Sequence, residues 1–89
     1  MSRLSSEKEA KIKSDILAAL FQNSPRALFT AEISRIIARD EEFTKRLLQE
    51  LAKEGLIVKV DKNPKGIKYL KRERWRLSSK AFKAYSELQ

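Results

Sequence analysis

Eight cationic side chains fall within the eighteen residues from Lys59 to Arg76, against two carboxylates, Asp61 and Glu73. Their chemistry is phosphate neutralisation. Ammonium and guanidinium groups crowded at this density displace counterions from a polyanion, and such a footprint needs a local rather than a diffuse excess of charge. The excess is local: residues 1–58 and 77–89 contribute only +1 each to the total of +8. Lysines on an exposed strand can also serve to block edge-to-edge pairing, but eight are more than that role requires. Lys62, Lys65 and Lys68 sit at or near an Asn63-Pro64-Lys65-Gly66 turn, and Arg72, Arg74 and Arg76 alternate along one strand face opposite Trp75.

A second group could read bases. Glu42, Arg46, Gln49 and Lys53 recur at i, i+4, i+7 and i+11, with Lys45 at their flank, on the side of a helix opposite Thr44, Leu47, Leu48 and Leu51. Arginine suits the guanine edge, glutamine the adenine edge and glutamate the cytosine amino group. The same spacing also describes an ordinary solvated helix face. Asp40, Glu41 and Glu42 complement the helix dipole but repel phosphates, and Glu42 and Arg46, four apart, are spaced to pair. Among the aromatics, Trp75 is expected in the core, packed on Val58 or Val60. Tyr69, nearer the turn, is the one placed for base stacking. Phe82 and Tyr85 are expected in the core or in a subunit interface.

Catalysis has little to stand on. Gly55 and Gly66 are the only glycines, so no phosphate-cradling loop exists, and the nine serines have no histidine to activate them. With no cysteine and no histidine, disulfides, thiolate metal sites and the commonest metal ligand are absent. No cofactor is expected, and no small-molecule effector site is evident. No apolar run approaches the roughly 20 residues of a membrane span, and residues 1–6 lack an apolar signal region. A cytoplasmic, nucleoid-associated location is the expectation.

The elements that must position these groups follow from periodicity and capping. Eighty-nine residues, 42% of them hydrophobic, imply one domain with a modest core. Ser6 and Glu9 fit a capping box opening a helix that carries Ile12, Ile16 and Leu20 and ends near Asn23, before Ser24-Pro25. Its apolar arc, widened by Leu17, Phe21 and three alanines, exceeds what one buried face needs. Leu28-Phe29 reads as one or two sheet residues. Thr30 is the expected cap of a second helix with Ile33, Ile36 and Ile37 inward and Glu32, Arg35 and Arg39 outward. Asp40 caps a third helix that runs to Glu54 and stops at Gly55. Strands at 56–61 and 67–77 flank the turn, with Ile67, Tyr69, Trp75 and Leu77 on one face. Leu77-Ser78-Ser79 opens a final helix bearing Ala81, Phe82, Tyr85 and Leu88.

The resulting order is α1-β1-α2-α3-β2-β3-α4, an α+β winged helix-turn-helix with a long basic wing hairpin. Three stretches resemble the small winged-helix transcription regulators of bacteria and archaea: residues 30–38 (TAEISRIIA), 43–57 (FTKRLLQELAKEGLI) and 74–81 (RWRLSSKA). The last is similar to the wing-to-helix corner of the PadR and MarR families. The resemblance spans nearly the whole chain. It implies a sequence-specific double-stranded DNA-binding protein, a homodimeric transcription regulator without enzymatic activity. Lys45, Arg46, Gln49 and Lys53 would enter the major groove, and Lys62, Lys65, Lys68, Arg72, Arg74 and Arg76 would hold the backbone. The first and last helices would meet a second copy through Ile12, Leu17, Phe82, Tyr85 and Leu88, with residues 78–89 as the dimerisation element. Two other uses of the fold remain open at this level: an RNA-binding or ribosome-associated winged helix, and a protein-contact module in a transcription or replication assembly.

Overall fold

A computed structural model describes residues 6–60 and 73–88. Its elements are α1 (Ser6–Asn23), β1 (Leu28–Phe29), α2 (Thr30–Ile37), α3 (Glu41–Lys53), β2 (Ile57–Val60), β3 (Arg74–Leu77) and α4 (Ser79–Leu88). This is the expected order, element for element. The expected turn, with Asp61 and the part of the expected last strand before Glu73, lies outside the described residues.

The three strands form one antiparallel sheet in the order β1-β3-β2. Leu28 pairs with Trp75 and Phe29 with Arg74 on one side of β3; on the other, Ile57 pairs with Leu77 and Lys59 with Trp75. Directly paired residues share a face. The inward face is therefore Leu28, Ile57, Trp75 and Leu77, all buried, and it closes on Ile12, Ile16 and Leu20 of α1, Ile33 of α2 and Leu47, Leu48 and Leu51 of α3. Truncating one of these leucines to alanine costs about 2–5 kcal/mol, a large share of the stability of a domain this small.

The pairing overturns the expected support of Trp75. Val58 and Val60 pair with Arg76 and Arg74, on the outer face of the sheet, so neither valine packs under the indole. Trp75 lies between Leu28 and Lys59 instead, and its Nε1–H donates to Thr30 Oγ1 at 2.9 Å. That bond also corrects the role of Thr30. The residue at the cap of α2 is Phe29, with extended backbone, and Thr30 is the first helical residue. What survives of a capping box is its reciprocal half: Glu32 Oε1 accepts from the Phe29 N–H at 2.9 Å.

On α2 the inward meridian runs through Ile33, Ser34 and Ile37 rather than through three isoleucines. Ser34 is buried, with its hydroxyl donating to the Ala31 carbonyl at 2.9 Å, and Ile36 is left 53% exposed. The expected inward placement of Ile36 is thereby corrected. Thr44, also buried, donates its Oγ1–H to the Asp40 carbonyl at 2.8 Å, so neither buried hydroxyl lacks an acceptor.

The turns at either end of α3 share a geometry. Asp40 caps the helix as expected, its Oδ1 accepting from the Phe43 N–H at 2.7 Å. Just before it, α2 ends at Ala38 with φ 58°, where the Arg39 N–H donates to the Ser34 carbonyl at 3.0 Å. At its far end α3 closes at Gly55, φ 80°, with the Leu56 N–H donating to the Leu51 carbonyl at 3.1 Å. Both are left-handed closures. Glycine adopts this conformation freely, whereas an alanine there costs about 1 kcal/mol. A Cβ added at Gly55 would meet only the Lys80 Nζ, at 3.8 Å, so its glycine answers a backbone demand rather than a steric one.

Candidate nucleic-acid interface

The core side of α3 stands as expected: Thr44, Leu47, Leu48 and Leu51 are buried. Lys45, Arg46, Gln49 and Lys53 are exposed with Glu41 and Glu42. Lys45 and Arg46 turn to opposite flanks of the helix, and Gln49 and Lys53 stand between them, opposite the core.

On the flank toward α1, Arg46 is engaged twice. Its Nη2 lies 2.9 Å from Glu9 Oε2 of α1 and its Nη1 2.8 Å from Glu50 Oε2, one turn on. The expected partner Glu42 is not the one it takes; the crossing of α1 over α3 supplies a carboxylate that no spacing along α3 reveals. Glu50 also meets Lys13 at 3.0 Å, and Lys13 reaches Glu54 at 3.4 Å. Hydrogen bonding to Glu9 raises Arg46 above its already high pKa, opposed by a smaller desolvation effect. The Lys13 hydrogen bond, and after it the charges of Lys13 and Arg46, hold the Glu50 carboxyl below its usual value, and Lys13 is raised in turn by Glu50. The Phe43 ring, half-buried beside this network, has the Arg46 guanidinium 5.3 Å and that of Arg39 5.8 Å from its centroid. These are cation–π distances.

On the flank toward the sheet, Lys45 lies 3.8 Å from Glu73 Oε1, and Lys59 of β2 lies 3.2 Å from Glu73 Oε2. One carboxylate, just before β3, thus lies between a cation of α3 and a cation of β2. Gln49 and Lys53 stand exposed, with no side-chain hydrogen bond or ion pair to the described residues. The cluster of Lys45, Lys59 and Glu73 escaped sequence reasoning. The signal for it was the position of Glu73, the sole carboxylate between Lys62 and Arg76. Lys13, Arg39 and Glu50 left no comparable trace.

Of the expected wing cations, Lys62, Lys65, Lys68 and Arg72 lie outside the described residues, as do Ile67 and Tyr69. Arg76 is exposed on the outer face of β3, as expected. Arg74 is on the same face but half-buried, its guanidinium 5.5 Å from the centroid of Phe29. Its expected open presentation is corrected: the pairing of Phe29 with Arg74 places a ring beside it. The residues assigned to a second-copy contact also separate. Ile12 is 7% exposed and belongs to the core of its own chain, so it has no surface left for a partner. Leu17 packs half-buried against that core. Phe82 and Leu88 are exposed at 43% and 79%, and Tyr85 is half-buried. Phe21 of α1 meets the Phe82 and Tyr85 rings at centroid distances of 5.4 and 5.5 Å. Ser78 fastens the start of α4, its Oγ accepting from the Ala81 N–H at 3.2 Å.

Among the described residues no group of carboxylates could hold a metal ion, and no helix is long and apolar enough to cross a membrane. No protein-family model and no curated protein sequence matches the chain. Solved structures do match. A MarR family transcriptional regulator from Silicibacter pomeroyi superimposes with a TM-score of 0.70 at 22% identity over 93% of this chain and 52% of its own. The Staphylococcus aureus MepR–DNA complex gives 0.73 at 17% identity, over 92% of this chain and 67% of MepR. A putative DNA-binding protein from Ralstonia eutropha gives 0.66 at 16% identity and is covered over 94% of its length. The chain spans about half the length of several MarR-type regulators it matches. Four helices around a small three-stranded antiparallel sheet, in this order, are the winged helix-turn-helix as MarR-type regulators carry it.

Proposed function

We propose that the chain is a double-stranded DNA-binding transcription regulator. It presents the sheet-side flank of α3 to the major groove and the basic segment 61–76 to the phosphate backbone. The observation that carries this reading is the junction at Glu73. It brings Lys45 of the helix and Lys59 of β2 to one carboxylate, beside the segment that carries most of the chain's excess charge. Base-edge chemistry beside a phosphate-binding stretch is what sequence-specific recognition needs. The likeness to a DNA-bound MepR supports the same assignment, as does the likeness to regulators rather than to enzymes. Fluorescence anisotropy on random and selected duplexes tests it: binding should weaken with salt at a log–log slope on the order of −4 to −5, for four to six phosphates neutralised. A slope near zero would remove the assignment.

The protein acts as a two-fold dimer, in the cytoplasm at the nucleoid. The basis is the apolar side of α4, where Phe82 and Leu88 remain exposed beside Tyr85 and Phe21. A small domain with such a stripe buries it most simply against a second copy. Ile12 takes no part. Sedimentation equilibrium should return twice 10.3 kDa, and Phe82→Glu with Leu88→Glu should return the single chain; a monomer at high micromolar concentration would overturn the dimer.

A further inference from the structure

Arg46 has the right chemistry for a DNA contact, and its guanidinium is occupied. Two carboxylates hold it, and they differ. Glu50 also takes a hydrogen bond from Lys13 at 3.0 Å, so its charge stays compensated if Arg46 leaves. Glu9 comes from another helix, and the structure pairs it with Arg46 at 2.9 Å. Phe43 supports the guanidinium from below at 5.3 Å while Arg39 stands 5.8 Å from the same ring, bringing a second cation to this spot. The arrangement is a seat for one anion, between α1 and the start of α3, on the flank away from the sheet.

We propose that Glu9 is an internal stand-in for a DNA phosphate: it holds Arg46 in the free protein and is exchanged for a backbone phosphate when α3 engages the groove. This rests on the DNA-binding reading given above. The guanidinium fork that accepts a carboxylate accepts phosphate oxygens with the same geometry. The exchange is inexpensive, because the pair stays in contact with water, with the Arg46 side chain 47% and the Glu9 side chain 20% exposed, and ion pairs open to solvent contribute little. A phosphate contact adds counterion release, which the carboxylate lacks. Glu9 therefore sets a threshold. It keeps Arg46 in one pose and raises Kd for every polyanion by the same factor, so that occupancy falls at weak sites while tight sites stay filled.

The test is a double-mutant cycle on the full chain, with Glu9→Gln, Arg46→Gln and the pair, read on random-sequence duplex DNA and on retention by heparin. Glu9→Gln should tighten duplex binding about two- to fivefold, the range of an exposed ion pair, and delay elution from heparin. Both gains should vanish when Arg46 is already glutamine. Equal gains with and without Arg46 would overturn the proposal, because they would mark a mere change of net charge; no gain on either probe would overturn it too. Should no variant bind duplex DNA while the Arg46-dependent delay on heparin persists, the exchange stands and the duplex reading falls. Circular dichroism melts confirm that each variant folds.

Discussion

On the side of α3 that meets α1, Lys13 and Arg46 face Glu9, Glu50 and Glu54, a net charge of −1 that Arg39, beside Phe43, brings to zero. On the side that meets the sheet, Lys45 and Lys59 share the single carboxylate of Glu73, a net of +1. The helix contributes cations to both flanks, and only its neighbours separate them. The charge that a partner meets is thus a tertiary property: it depends on what α1 and β3 bring alongside, and the residues of α3 alone do not reveal it.

The contrast can be broken by removing cations that lie outside the α1 network. Replacing Lys45 on the sheet side, Lys53 opposite the helix core and Arg76 on the outer face of β3 by alanine takes away three phosphate contacts. Duplex affinity at 0.15 M salt should fall about a hundredfold and the salt slope flatten by about 2.7, while Lys13→Ala, which leaves Glu50 uncompensated beside Arg46, should cost far less and leave the slope nearly unchanged. Equivalent losses from the two sets would abolish the distinction.

Gln49 sharpens the contrast in another quantity. Exposed on the side of α3 opposite its core, it should distinguish bases rather than attract phosphate. Gln49→Ala should cost roughly 1–3 kcal/mol on a selected site and little on random DNA. A uniform loss across sequences would demote it to a backbone contact.

The smallest effect concerns the α1 side as structure rather than as surface. Glu50 has a folded-state pKa below its ordinary value, so its ion pairs contribute stability that is complete above the usual glutamate range, near 4.5, and is lost as pH falls through the depressed folded value. Urea melts from pH 7 to pH 3 should show a decline near and below pH 4.5 that Glu50→Gln lessens. The exposure of these side chains keeps it modest. An identical decline in the variant would mean that the network adds nothing to folding.

Much of this fold was legible beforehand, for reasons that differ by element. The leucines of α3 repeat with the helical period, Asp40 and Gly55 mark its ends, and the two-residue β1 was foreseen at Leu28-Phe29. These are local signals. What escaped depends on distance across the chain. The partner of Arg46 comes from 37 residues away and that of the Trp75 indole from 45. Whether Trp75 lies opposite Val58 or Lys59 depends on strand register, which the turn sets and a one-residue slip inverts. Ile36 departs from its expected inward place because Ser34, polar by type, takes that place. The end of α2 carried no glycine to announce it.

That alanine at position 38 has a consequence for how the helix meets any partner. With φ 58° at Ala38 before α3 and 80° at Gly55 after it, each end is fixed by a tight hydrogen-bonded reversal and not by a loop. Neither end leaves a hinge about which α3 could swivel. The helix is already oriented before an encounter, so little ordering entropy is lost on binding. Poor fits cannot be rescued by adjustment, and differences between partners should be expressed in how long complexes last more than in how fast they form.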